Sequence, residues 1–127
     1  MESAKDLIIK FYESAGILSK QYCIDVMHDD FTLEWFSSNG HLKLDYNDFL
    51  ALSKDLKLSY YDLRAEIHDV IEGVDGKIVV LYTYYVRTLE NPDEELSLAT
   101  FFTTWIVKDG KLFHGVQMSQ LGQKEKK

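Results

Sequence analysis

Lys77-Ile78-Val79-Val80-Leu81-Tyr82-Thr83-Tyr84-Tyr85-Val86-Arg87-Thr88-Leu89 is the stretch on which the fold turns. Nine of its thirteen residues are β-branched or aromatic, which is the composition of a strand. Thirteen residues at ~3.3 Å each would reach roughly 43 Å. A compact domain of 127 residues is only roughly 36 Å across. A flat strand of that length would protrude. The sheet that contains it must therefore twist and curl, and a curled antiparallel sheet has a concave side that the rest of the chain has to cover.

Upstream of this stretch, Leu63, Ala65, Ile67 and Ile71 alternate with Arg64, Glu66, His68 and Glu72, a period of two. Asp75-Gly76 between the two runs reads as a two-residue hairpin turn. Downstream, Asn91-Pro92-Asp93-Glu94 turns the chain into a strand from Leu96 to Val107, and Asp109-Gly110 turns it again into Leu112 to Gln120. Before Leu58 the period is helical. Ser3 with Asp6 forms a capping pair ahead of Leu7, Ile8, Phe11, Ala15 and Leu18, and Gly16 reads as a stop. Ser19 caps a second short helix carrying Tyr22, Cys23, Val26 and Met27, and His28-Asp29-Asp30 reads as a solvated loop. Phe31 to Phe36 is one early strand, ending in the turn 37–40, and Asp45 with Asp48 caps a third helix bearing Phe49, Leu50 and Leu52. The fold class is α+β. Three N-terminal helices pack on a strongly curved antiparallel sheet, a half-barrel enclosing a pocket. One domain covers 1–121, and 122–127 is a polar C-terminal tail.

Composition removes several function classes. Lys plus Arg is 14 against 21 Asp plus Glu, a net charge of −7. Such a chain repels phosphate backbones, so nucleic acid is not expected as a partner. A lone Cys23 excludes an internal disulfide and a cysteine-rich zinc site, and His28, His41, His68 and His114 lack metal-ligand spacing. There is no nucleophile elbow and no glycine-rich phosphate loop. No cofactor is expected. Apolar runs such as Ile78 to Tyr82 fall far short of the ~20 residues of a membrane span. Met1-Glu2-Ser3 leads directly into a charged helix, unlike a secretory leader. The expected location is the cytoplasm.

The turns also imply a register. A two-residue turn at Asp75-Gly76 sets Asp69 opposite Tyr82 and Ile67 opposite Tyr84. The turn at 91–94 sets Tyr82 opposite Thr103, and Asp109-Gly110 sets Trp105 opposite His114. One face then carries Ile67, Asp69, Tyr82, Tyr84, Phe101, Thr103, Trp105, His114, Val116 and Met118. With Phe11, Trp35 and Phe49 from the remaining elements, this apolar and aromatic surface is the expected ligand pocket. Asp69 among apolar neighbours would have its pKa raised and serve as a general base, with Tyr82 and His114 as its catalytic partners. The structural alternative is that Asp69 is merely tied to Tyr82 or a backbone amide, and that His114 is a satisfied wall residue.

With His28-Asp29-Asp30-Phe31 leading into the first strand, Glu66-Ile67-His68-Asp69-Val70-Ile71 into the hairpin, and Val107-Lys108-Asp109-Gly110-Lys111-Leu112 before the last strand, the chain resembles the nuclear transport factor 2-like superfamily. This is the cone-shaped, cystatin-like fold of ketosteroid isomerase and the SnoaL-like polyketide cyclases, and the resemblance spans residues 4–120. It implies a small, largely apolar or aromatic ligand. It also implies cofactor-independent isomerase, dehydratase or cyclase chemistry by proton transfer next to a carbonyl. Gln117-Met118-Ser119-Gln120 departs from it, because many SnoaL-like relatives carry an acidic residue there. A non-catalytic homodimeric interaction module of the same fold remains the alternative, and whether the chain is an enzyme stays open.

The opposite sheet face favours assembly. Leu81, Phe102, Ile106 and Phe113 would form an apolar patch larger than a monomer tolerates, with no helix left to cover it. A homodimer through this outer face is expected.

Overall fold

The computed structural model describes residues 2–122, so the expected tail at 122–127 lies, apart from Gly122, outside the described residues. Helix α1 (Ala4–Glu13) starts on Ser3, whose hydroxyl accepts from the Asp6 amide at 3.1 Å. It turns Leu7, Ile8, Phe11 and Tyr12 inward. Ala15, with a left-handed φ of 54°, feeds a 3-10 turn at Gly16–Leu18. A Cβ on Gly16 would lie 2.9 Å from the Phe11 ring and 3.1 Å from the Tyr22 ring, so close approach rather than helix termination requires glycine here. Ser19 caps α2 (Lys20–Val26) by accepting from the Tyr22 amide. After β1 (Met27–Ser37) and β2 (Gly40–Asp45), a reciprocal capping box between Asp45 and Asp48 starts α3 (Tyr46–Ser59). A four-strand meander follows: β3 (Tyr60–Glu72), β4 (Ile78–Thr88), β5 (Glu95–Lys108) and β6 (Lys111–Leu121).

The six strands form one curved, open sheet in the order β2-β1-β6-β5-β4-β3. Every neighbouring pair is antiparallel except β1 and β6, which run parallel. The sheet is therefore mixed, where the alternation alone implied an antiparallel one. The physical cause is α3. It carries the chain from β2 at one edge to β3 at the other, and the meander then returns to meet β1 in the same direction. Two more differences lie in the first hairpin. His28-Asp29-Asp30 belongs to β1 rather than to a loop. Gly40–Asp45 is a paired strand whose mostly exposed residues hide the alternation a buried strand shows.

Turn chemistry sets part of the register. Asp109 (φ 56°) and Gly110 (φ 72°) make the expected two-residue turn between the paired Lys108 and Lys111. Asp75-Gly76 does not. Gly73 donates to the Lys77 carbonyl at 2.8 Å, and Gly76 donates back to Gly73, so the loop spans 73–77. Four one-residue bulges of the meander then change faces along the strands, the first at Tyr61 of β3, between the pairs Tyr60–Thr88 and Asp62–Arg87. On β3 His68 is extra, with Ile67 opposite Tyr82 and Asp69 opposite Leu81. On β5 Leu98 is extra, and on β6 Phe113 is extra, with Val107 opposite Leu112 but Ile106 opposite His114.

The core fills the space between the helices and the concave face. Trp105, Tyr12, Tyr82 and Phe31 are its largest fully buried side chains. Among the described residues, no helix is long and apolar enough to cross a membrane.

Candidate functional site

Between the helices and the concave face lies a cavity of about 480 Å³, counting its open mouth. Phe11 and Tyr12 enter it from α1 and Ile17 from the 3-10 turn, while Phe49, Leu52 and Leu56 line it from α3 at helical spacing. The sheet contributes Trp35, Tyr82, Tyr84, Leu98, Phe101, Trp105 and Gln117. Two cross-sheet rows organise that wall. Ser119, Phe101, Tyr82 and Ile67 stand side by side in one, and Gln117, Thr103 and Val80 in the next. Gly115 makes room for the Trp105 indole. A Cβ there would lie 2.8 Å from both the Trp105 ring and the Leu33 side chain.

The polar groups of the wall form a directed chain. An indole N–H can only donate, and that of Trp105 donates to the Tyr12 hydroxyl at 2.9 Å. Tyr12 donates to the Tyr82 hydroxyl at 3.2 Å, and Tyr82 donates to the Gln117 side-chain oxygen at 3.2 Å. The Thr103 hydroxyl donates to that same oxygen at 3.2 Å. Each proton in the chain is spent inside the wall. With its oxygen held by two donors, Gln117 keeps its amide N–H groups for something else. They have no partner among the described residues, and neither does the hydroxyl of Tyr84.

Burial pushes the Tyr12 phenol up to about 12, against smaller lowering contributions from its hydrogen bonds to Tyr82, Trp105 and Thr103. Burial, reinforced by neighbouring phenols, holds Tyr82 and Tyr84 well above the ordinary phenol value. All three are protonated donors at neutral pH. None of the lining side chains is a carboxylate, imidazole or ammonium. The cavity can therefore bind and polarise an oxygen acceptor, but it holds no base of its own. Cys23 lies fully buried beneath it, with burial raising its thiol to about 11, so it is no nucleophile. Among the described residues, no three His, Cys, Asp or Glu side chains are placed to hold a metal ion.

The structure brings Phe11, Trp35, Phe49, Tyr82, Tyr84, Phe101 and Trp105 to the cavity. Thr103 is fully buried behind it in the hydrogen-bond chain, and Ile67 is half-buried against the core. Four placements are corrected. Asp69 is exposed and faces outward opposite Leu81, not Tyr82, because the 73–77 loop slips β3 by one residue, and the His68 bulge beyond it returns Ile67 to the inward face, opposite Tyr82. His114, Val116 and Met118 point to the outer face, because the Phe113 bulge reverses β6. There the His114 Nδ1 pairs with the Thr32 hydroxyl at 2.7 Å, and its Nε2 stands 3.9 Å from Glu34. Met118 is 61% exposed.

Gln117 and Ser119 take the inward places. Neither was legible from alternation, since the bulge precedes both. Tyr12 was legible, lying one turn after Ile8 on the apolar face of α1. Leu56 likewise continues the spacing of Phe49 and Leu52.

No protein-family profile and no curated protein matches the chain. Solved structures match its shape along most of its length. AusH from Aspergillus nidulans superposes with a TM-score of 0.78 at 12% identity, over 98% of this chain and 90% of that one. A SnoaL-like protein from Jannaschia sp. CCS1, provisionally named a polyketide cyclase, gives 0.65 at 13% identity, over 90% and 83%. A protein with a ketosteroid isomerase-like fold from Catenulispora acidiphila DSM 44928, in complex with trimethylamine, gives 0.68 at 8% identity, over 88% and 83%. The chain has the SnoaL-like, nuclear transport factor 2-like cone fold.

Proposed function

We propose that the protein binds a small, neutral, largely apolar molecule bearing a carbonyl oxygen, held in the concave cavity by the Gln117 amide and the Tyr84 hydroxyl. One observation carries this reading: the unspent polar groups on an otherwise apolar wall are neutral donors. Among the described residues no buried side-chain polar atom lacks a partner, so these two donors open onto the cavity, where a ligand acceptor can pair with them and a plain hydrocarbon cannot. A charged ligand would find no counter-ion. The fold shared with provisionally named polyketide cyclases agrees with an oxygen-bearing carbon skeleton.

Any chemistry here is positioning and polarisation of a ligand carbonyl, an electrophilic role for neutral donors. Proton abstraction by Asp69 has no geometric support, since that carboxylate faces away from the cavity. The free thiol of Cys23 fits a reducing compartment, and we place the protein in the cytoplasm.

Calorimetric titration with 1-tetralone and with tetralin, its analogue lacking the carbonyl, tests this. The ketone should bind about tenfold more tightly, as one satisfied hydrogen bond implies. Gln117→Leu and Tyr84→Phe should each reduce that preference, while Asp69→Asn and His114→Gln leave it unchanged. Equal binding of ketone and hydrocarbon would sink the reading.

The second reading concerns assembly. Phe102 is 49%, Ile106 39% and Met118 61% exposed on the outer sheet face, beside half-buried Leu81. Phe113 contributes less, because His28 and Lys108 of its own chain already pack on its ring. A homodimer closing this apolar face is the assembly we favour.

A further inference from the structure

We infer that Trp35 is the partition of a two-compartment site and sets the length of the ligand the inner compartment accepts. This rests on the ligand-binding reading above and deepens it. A second cavity of about 670 Å³, counting its mouth, lies against the first. The two share Trp35, Leu56, Leu98 and Phe101 and no other lining residue, so these side chains are the wall between them. Trp35 is the one held by a hydrogen bond across that wall. It projects from β1, paired with Gln117 of β6, and its indole N–H donates to the Ser119 hydroxyl at 2.8 Å. Its ring also rests against Phe101, centroid to centroid 6.2 Å. Ser119 lines only the outer compartment, and Gln117 only the inner one.

The compartments differ in chemistry. The inner one ends on the Gln117 and Tyr84 donors amid aromatic rings. The outer one is also mainly apolar, adding Ala99 and Leu121 to the shared wall, but its edge carries the uncharged hydrogen-bonding groups of Ser37, Ser38 and Asn39 of the β1–β2 turn, with Ser119 and Tyr60. A ligand reaching both would carry its carbonyl on an apolar head and hydroxyl groups on its far end. With Trp35 latched to Ser119, the indole stands where such a ligand would pass. The latched protein therefore selects a compact neutral ketone, and removing the indole joins the compartments into one elongated site.

The test compares two probes by calorimetry, 1-tetralone and 1-tetralone carrying a 6-(2-hydroxyethoxy) arm. The wild type should prefer the compact probe at least about tenfold, since one excluded group of this size is worth roughly that factor. Trp35→Ala should erase or reverse the preference. Ser119→Ala, which frees the indole without removing it, should move the ratio part of the way. Trp35→Phe, which keeps an aromatic wall but loses the latch, should behave like Ser119→Ala and covers the case in which Trp35→Ala fails to fold. A ratio that stays within twofold of wild type in all folded variants overturns the partition while leaving the binding site standing. If neither probe binds any form, the binding-site reading falls and the partition with it.

Discussion

The indole N–H of Trp105 and the hydroxyl of Tyr12 lie 2.9 Å apart and join β5 to α1 across 93 positions of sequence. Both side chains are almost wholly buried. This bond fixes which way the rest of the polar chain runs. An indole that can only donate makes Tyr12 an acceptor from Trp105, so the Tyr12 proton goes to Tyr82 and that of Tyr82 to Gln117.

Tyr12→Phe removes the acceptor and strands a buried N–H. We expect a loss of ~1–3 kcal/mol in unfolding free energy, with the ring volume kept. Urea denaturation measures it, and a loss under about half a kilocalorie would mean that the indole finds another partner.

Gly115→Ala should cost more than a surface substitution. The added methyl meets Trp105 and Leu33 at 2.8 Å, both almost wholly buried, so the indole has to shift. Overpacking of this kind costs ~1–3 kcal/mol. A near-ultraviolet circular dichroism change should accompany the lowered Tm, since Trp105 would leave its present environment.

Phe102→Glu places a charge in the centre of the exposed outer face without touching the cavity. Sedimentation equilibrium at micromolar concentration should show twice 14.8 kDa for the wild type and a 14.8 kDa monomer for the variant. Tetralone affinity should stay as it was. A wild-type monomer, or a dimer indifferent to the charge, contradicts the assembly.

Alkaline pH should destabilise the fold through the buried phenols and thiol. Their folded pKa values lie above the unfolded ones, so the native state holds protons that the unfolded state releases. The stability they contribute is fully present below the unfolded values, near 9.0 for Cys23 and 10.0 for Tyr12, and is lost as pH rises towards about 11 and about 12. A Tm profile should be flat with respect to these groups at neutral pH and fall above pH 9.0. Cys23→Ala should delay the onset of that fall to the phenol range.

Much of the architecture was legible in local chemistry. Ser3, Ser19 and Asp45 cap helices where their side chains promised it, and Asp109-Gly110 makes its two-residue turn, because caps and turns are decided within four residues. The change of period from helical to two near residue 58, and strands too long to lie flat, implied helices over a curved sheet before any contact was known. The parallel pairing of β1 with β6 was not legible, since it depends on where α3 sets the chain down.

The inward set of residues divides in the same way. Alternation put Tyr82, Tyr84, Phe101 and Trp105 on the concave face, and they are there, because β4 and the middle of β5 run without a bulge between them. It also put Asp69, His114, Val116 and Met118 there, and they face outward. A period of two is exact within a strand, but one inserted residue inverts everything beyond it. Whether a strand bulges depends on how it fits its neighbours. Gly115 has to slide under Trp105 and against Leu33, and those partners lie far away in sequence. The sequence alone thus determined a curved α+β shell with an aromatic hollow. Only the tertiary structure decided that the hollow ends on Gln117 rather than on a carboxylate, because that choice rests on single-residue slips that local propensity does not encode.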